Sequence, residues 1–239
     1  MIPYIIINGV SSKSINGLLI QSLPPISKPK IRTNIEEIDG KDGDVVTTLG
    51  YGAYDKTLTI GLHGDYDVDE VIKFFDSSGQ IIFSNEIDKY YNFAIYSQID
   101  FNKLIRFKTA TVTLHVQPFK YAANEKAITY TYPSRQASVT IPVRNNGNIY
   151  SKPILTIKGS NTVNVYLGNT QILSIQLASA GETIIIDVAA MNAYDENGNY
   201  LNRQVTGDYD KLIFNAGLND LVISGNISEV TIDKISRWI

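Results

Sequence analysis

Residues Arg106–Tyr121 read RFKTATVTLHVQPFKY, and the run alternates. Phe107, Thr109, Thr111, Thr113, His115 and Gln117 fall on one face, and Lys108, Ala110, Val112, Leu114 and Val116 on the other. A period of two with β-branched residues dominant predicts a strand with one buried face. Pro118 cannot donate to a ladder, so the strand is expected to stop there. Beyond Tyr121 the polar stretch AANEKA shows no alternation before β-rich sequence resumes. A long strand, a proline-aromatic stop and a polar linker mark the end of one domain. Expected domains are therefore 1–122 and 123–239, with Gln117, Pro118, Phe119 and Tyr121 as their junction.

A chain of 239 residues can bury sizeable cores, as one large all-β unit or as two domains of about 120 residues each. Its hydrophobic content of 44% and charged content of 19% are those of a globular protein. The net charge of −3 is spread evenly: residues 1–122 carry 12 basic and 14 acidic side chains, the rest 9 and 10. Neither half is basic enough to hold phosphates by counterion release, which argues against nucleic-acid binding as an activity. Without cysteine there are no disulfides, thiolate metal sites or cysteine nucleophile. The start, MIPYIIINGV, lacks a basic region and a long apolar run, so it does not read as a secretion signal. No apolar run is long enough for a membrane-spanning helix.

In the first half, PYIIINGV (Pro3–Val10) ends at Asn8-Gly9, a strong hairpin signal. A second strand candidate lies around Leu18, Leu19 and Ile20, and a proline-rich connector follows through Pro24, Pro25 and Pro29. Lys30–Ile38 alternates, and Lys56–Leu62 (KTLTIGL) is a further strand. Between them IDGKDGDVVTTLGYGAYD carries two Asp-Gly turn signals, at Asp39-Gly40 and Asp42-Gly43. Long excursions in compact domains are usually functional or disordered. This one holds Val45, Val46, Leu49, Tyr51 and Tyr54, apolar groups that rarely stay in water without a partner. It is expected to be a protruding arm, about 39–55, that contacts another subunit. One helix, about 67–78, follows: Asp67 is its N-cap, Glu70 completes a capping box, and Val68, Val71, Ile72 and Phe75 form its apolar stripe, with Phe74 at the border. Ser77-Ser78-Gly79 is expected to end it.

The second half holds strand candidates at Ala127–Tyr132, Ala137–Val143, Pro153–Lys158, Thr162–Leu167, Gln171–Leu177, Thr183–Val188, Leu212–Ala216, Asp220–Ser224 and Glu229–Ile235. Short strands with turns every eight to twelve residues predict a jelly-roll-like sandwich.

Chemistry-bearing constellations are few. His63 and His115, the only histidines, have no Cys or His at ligand spacing, so a zinc site is not expected. Asp65-x-Asp67-x-Asp69 lacks the glycine and late glutamate of a calcium loop and coincides with the helix cap. Asp195–Asn199 (DENGN) reads as a solvated turn. No nucleophile-elbow or phosphate-cradling motif is present, and no Ser-His-Asp set stands out. No catalytic residue, metal or cofactor is expected. Fifteen tyrosines against one tryptophan, Trp238, suit protein interfaces and sandwich cores alike.

The arginine-led strand ending in Gln117-Pro118-Phe119-Lys120-Tyr121 resembles the domain junction of the distal tail (Dit) proteins of long-tailed, non-contractile phages. The segment Glu36–Gly43, then Tyr54 and the strand Thr57–Leu62, is similar to that family's glycine-arginine-aspartate-glycine segment, with Lys41 near where arginine is usual. Asn146-Gly147 followed by Lys152–Gly159 resembles the opening of the family's second domain. Ile186-Asp187, Gly207–Leu212, Asn215–Asn219 and Ser224-Gly225 resemble its closing strands.

The resemblance implies a mainly β protein of two domains. The first is a tail-tube-like β-sandwich with one helix and a protruding hairpin; the second is a galectin-like sandwich. It implies a structural hub rather than an enzyme: a homo-oligomeric ring, hexameric in the family, at the tip of the virion tail, made in the host cytoplasm. Implied partners are the tail tube protein, the tail-associated protein, the tape measure and receptor-binding proteins, with DNA passing through without specific binding and no membrane insertion. Two other readings stay open: a carbohydrate-binding sandwich module, for which Trp238 is the only indole, and a tail-tube-like subunit, for which the second domain is surplus.

Overall fold

The alternation of the long central strand holds from Thr109 onward, where Ala110, Val112, Leu114 and Val116 are buried and the residues between them are not. A computed structural model describes residues 2–239, with the backbone alone at 133–136. The chain divides into two compact units, one running through Ala123 and the other covering Asn124–Trp238.

In chain order the first unit contains β1 (Ile5–Ile7), β2 (Val10–Ser11), β3 (Leu18–Ser22), β4 (Ile31–Glu37), β5 (Asp44–Tyr51), β6 (Tyr54–Leu62), α1 (Val68–Phe75), β7 (Ser78–Phe83), β8 (Lys89–Ala94), α2 (Phe101–Phe107) and β9 (Thr109–Ala122). Seven of these strands form one antiparallel sheet in the order β2-β1-β7-β8-β9-β6-β3, while among the described residues β4 and β5 pair only with each other. Asn8 (φ 48°) and Gly9 (φ 85°) make the tight turn between β1 and β2, as two consecutive positive φ values demand of a two-residue hairpin.

The first unit has two helices rather than one. FNKLIRF, whose last two residues the alternation assigned to the strand, is α2: Asp100 accepts the Lys103 N–H at 2.8 Å, Leu104 is fully buried, and Lys108 (φ 58°) turns the chain into β9. With one buried residue, α2 carries too little periodicity to be seen in the sequence. α1 starts as expected, Asp67 accepting the N–H groups of Asp69 and Glu70. Its buried side chains are Val71, Phe74 and Phe75, and Ile72 is exposed. The Phe74 and Phe75 rings meet edge to face at 5.1 Å, so the stripe is centred nearer Phe74 than the spacing suggested. α1 ends at Asp76 rather than at a glycine cap, and Ser78-Gly79 already belongs to β7. Gly79 is needed there because the Asn8 Oδ1 sits 2.3 Å from where a Cβ would stand. That oxygen accepts the Gln80 N–H at 2.9 Å.

β9 does not stop at Pro118. Between Val116↔Phe93 and Lys120↔Tyr91 it runs through three residues while β8 offers one, and Pro118 lies in this bulge. A missing N–H costs least where the ladder is already interrupted.

In the second unit the expected short strands fuse into long ones: β10 (Ile128–Asn145), β11 (Ile154–Leu167), β12 (Thr170–Asp187) and β15 (Gly217–Asp233), with the short β13 (Asn192–Tyr194) and β14 (Val205–Gly207). The sheet order is β10-β15-β11-β12-β13, β14 pairing with β12. All four long strands break register at one level, at about 132–137, 159–163, 178–181 and 225–228. Across that level the inward positions change parity, from Leu173, Ile175 and Leu177 to Ile184 and Ile186 in β12, and from Leu221, Ile223 and Ile227 to Val230 and Ile232 in β15. Each strand thus contributes two short alternating runs to a single apolar core. Gly159 permits the bend, since a Cβ there would meet the Asn226 carbonyl at 2.7 Å.

A buried charged cluster lies at the Lys120 end of β9. Lys120 and Glu86 pair at 2.8 Å, and the Tyr91 hydroxyl donates to the other Glu86 oxygen at 2.9 Å. Lys56, 3% exposed, donates to the Pro25 carbonyl at 2.7 Å and lies over the rings of Tyr54 and Tyr91. The proline-rich connector is thereby tied to the sheet just before it enters β4. Burial holds the Lys56 pKa below its ordinary value of 10.5, against the pull of Glu86, and Lys120 lowers it further.

Two outcomes are expected. Phe75→Asp places an unpaired carboxylate where a fully buried ring was, at a cost on the order of 5 kcal/mol. The thermal transition of the first unit should be lost; a native transition would show that α1 does not cover the sheet. For Lys56, whose folded pKa is depressed, the unfolded chain binds more protons in the alkaline window below 10.5. The wild-type stability minus that of Lys56→Met should therefore rise with pH across that window. Urea titrations of both proteins between neutral and alkaline pH measure this difference, and repeating the pair in a Tyr91→Phe background separates it from the opposite contribution of Tyr91, whose pKa burial raises.

Candidate subunit interface

The arm is a true hairpin, and it begins earlier than the turn signals suggested. β5 folds back on β4 with Ile31↔Tyr51, Thr33↔Thr48, Ile35↔Val46 and Glu37↔Asp44 in register, and the tip holds Gly40 (φ 80°) and Gly43 (φ 76°). The expected range of 39–55 is corrected to 31–51: the excursion is one half of a hairpin whose other half is the strand preceding it. The Gly52 N–H donates to the Lys30 carbonyl at 2.8 Å and closes the base.

Pairs in register share a face, so one face of the arm carries Ile31, Thr33, Ile35, Val46, Thr48 and Tyr51, with Glu37 and Asp44 next to the tip. The other carries Arg32, Asn34, Glu36, Val45, Thr47 and Gly50. Ile35 and Val46, directly opposite, are each 58% exposed, and Leu49, at the register shift, is 56% exposed. Val45 is half-buried. The sequence singled out the β5 side of this surface and missed Ile31 and Ile35. Alternation over Lys30–Ile38 was the available signal, but it does not say which strand pairs with which.

Tyr51 and Tyr54 fall outside the exposed set. Tyr51 lies at the base, its ring edge-on to Phe119 at 5.4 Å. Tyr54 opens β6, and its hydroxyl donates to the Ser27 carbonyl at 3.4 Å. Burial raises its pKa, as expected of a phenol packed into a sheet. Of the junction residues, Gln117 is exposed, Pro118 is half-buried in the bulge, and Tyr121 stacks on Tyr90 at 5.3 Å. Phe119, through its contact with Tyr51, brings the junction strand to the base of the arm.

Other candidates resolve locally. Asp195 accepts from the backbone of Asn197 and Asn199 and from the Asn199 side chain, which holds its carboxyl below the usual range and closes the turn on itself. Among the described residues no three His, Cys, Asp or Glu side chains gather at one point. His63 is exposed just beyond β6, whereas His115 on β9 pairs with Asp55 at 2.8 Å.

No protein-family model and no curated protein matches the chain. Solved structures do. The chain superposes on the SPP1 Dit (gp 19.1) protein, a paradigm of the hub adsorption apparatus in phages infecting Gram-positive bacteria, with a TM-score of 0.68 and 17% identity over 97% of this chain and 98% of that one. A chain of the phage P2 baseplate in its activated conformation with Ca matches with a TM-score of 0.51 and 12% identity, over 97% of each chain. Mainly β, in two units with a protruding hairpin, the chain has the fold of the phage distal tail (Dit) hub proteins.

Proposed function

We propose that the chain is a structural hub subunit of a long-tailed phage tail tip. Copies join head to tail in a ring, hexameric as in the proteins it resembles, each arm lying on the next subunit. The observation that carries this is the exposed face of Ile31, Ile35 and Val46 on a hairpin that, among the described residues, pairs with no other strand. A head-to-tail contact that closes on itself repeats one such patch around an axis. Fold similarity to hub and baseplate proteins supports the same reading. The ring would join the tail tube to the tail-associated protein, with tape measure and receptor-binding proteins as further partners. A near-neutral chain of net charge −3 would let DNA pass without holding it. The role is structural, in the virion, after synthesis in the host cytoplasm.

Arm contacts in such a ring should bury about 2,000 Å² or more each, as obligate interfaces do. Replacing residues 33–49 with a short Gly-Ser linker should leave the circular dichroism spectrum and thermal transition nearly unchanged while the ring falls to monomers by light scattering. Ile35→Asp and Val46→Asp should each weaken self-association by about 2 kcal/mol, roughly 30-fold. A trimmed protein of wild-type oligomeric mass would show that the arm is not the clasp. An untrimmed protein that stays monomeric at high concentration would refute a self-closing ring.

A further inference from the structure

The face of the β6–β9 pair opposite the core carries a small pocket of about 310 Å³, lined by Asp55, Tyr96, Ser97, Thr113 and His115. Asp55 and His115 are register partners on the two strands, and the Asp55 Oδ1 lies 2.8 Å from the His115 Nδ1. The loop after β8 crosses beside them. It is pinned by the Ser97 hydroxyl, which donates to the Thr113 carbonyl at 3.1 Å. Tyr96, 81% exposed, sets its ring 5.8 Å from the imidazole at 46°.

We propose that this pocket binds a neutral polyhydroxylated ring, a single pyranose. A carboxylate only accepts hydrogen bonds, so the His115 Nδ1 carries a proton, and in the neutral ring Nε2 is then the acceptor. Asp55 Oδ2 and the neutral ring's His115 Nε2 then offer acceptors to hydroxyl donors in the pocket they both line. The Ser97 hydroxyl oxygen adds an acceptor, and the Thr113 hydroxyl accepts or donates as a sugar requires. The exposed Tyr96 ring gives the C–H face of a pyranose an apolar wall with a polar tip. The volume stands at the small end of ligand pockets, about 300–1,000 Å³, and suits a single ring. An ammonium ligand would answer the Asp55 carboxylate but leave the Ser97 and Thr113 hydroxyl oxygens unused, whereas a polyhydroxylated ring engages all of them. Ser97, His115 and Asp55 do not act as a nucleophilic set, because the Ser97 proton is committed to a main-chain carbonyl. The site lies in the N-terminal unit and involves no arm residue, so it stands or falls separately from ring closure.

The test is NMR titration of the full-length protein with methyl α-glucopyranoside, methyl β-galactopyranoside and N-acetylglucosamine, with N-acetyl-lysine methylamide as the cationic probe. At least one sugar should bind saturably, with Kd on the order of 1 mM, shifting the Tyr96 ring and His115 imidazole resonances. Tyr96→Ala and Asp55→Asn should each weaken it about tenfold or more while leaving the thermal transition in place, since Tyr96 is exposed and Asn is isosteric with Asp. The proposal is overturned if no sugar saturates, if both variants bind as wild type does, or if the lysine probe binds more tightly than every sugar.

Discussion

Val112, Leu114 and Val116 lie fully buried on one face of β9, a strand hydrogen-bonded on both sides, and the N-terminal unit is built off it. Both helices contribute to the core on that face, through Phe75 of α1 and Leu104 of α2. Pairing with β6 fixes where the arm returns to the sheet, because Tyr54 opposes Val116. The same pairing sets Asp55 against His115 on the opposite face. At its far end the strand delivers Lys120 to Glu86 and Phe119 to Tyr51. A side-chain period of two on a doubly paired strand allows this division of labour, since a one-residue slip would exchange the faces.

The buried cluster places Lys56 and Lys120 against one glutamate, which a purely stabilising design would avoid: apolar residues of similar volume often hold as well or better. Direction is what the cluster adds. The Lys56 ammonium finds an oxygen on the connector, at Pro25, and Tyr54 finds another at Ser27. The chain is thus held at defined points before it leaves the sheet as the arm. The arm has the opposite character, with apolar side chains in water on one face. Arg32, Glu36, Glu37 and Asp44, on or beside that hairpin, oppose indiscriminate pairing of its open edges.

In the second unit, three of the four long strands change which face points inward as they curl around one core. Register breaks at one level let β10, β12 and β15 do this together, while the longer break in β11 keeps Leu155, Ile157, Val163 and Val165 inward at one parity. A break in one strand alone would leave its neighbours' side chains on the wrong face. Glycine at 159 follows from the backbone of Asn226 passing where a side chain would stand.

Features decided within a few residues were legible in the sequence: the Asn8-Gly9 turn, the Asp67 cap, the alternation through Val112 and Leu114, the glycines at the arm's tip, and the mainly β character of both units. Their energetics are local, so composition and spacing carry them. What the sequence left open was partner choice. Alternation in Ile31–Glu37 and apolar residues in Asp44–Tyr51 do not say that these segments pair with each other, nor that Tyr54 belongs to the sheet. Two short alternating runs do not reveal that they are one bent strand, because the parity change at the bend erases the continuity. Asp55 and His115 stand 60 positions apart, and Glu86 and Lys120 stand 34 apart. The β6–β9 ladder brings the first pair together and the β7–β8 turn, carried by the β8–β9 pairing, brings the second, and those pairings are chosen by which faces can be buried together across the whole sheet.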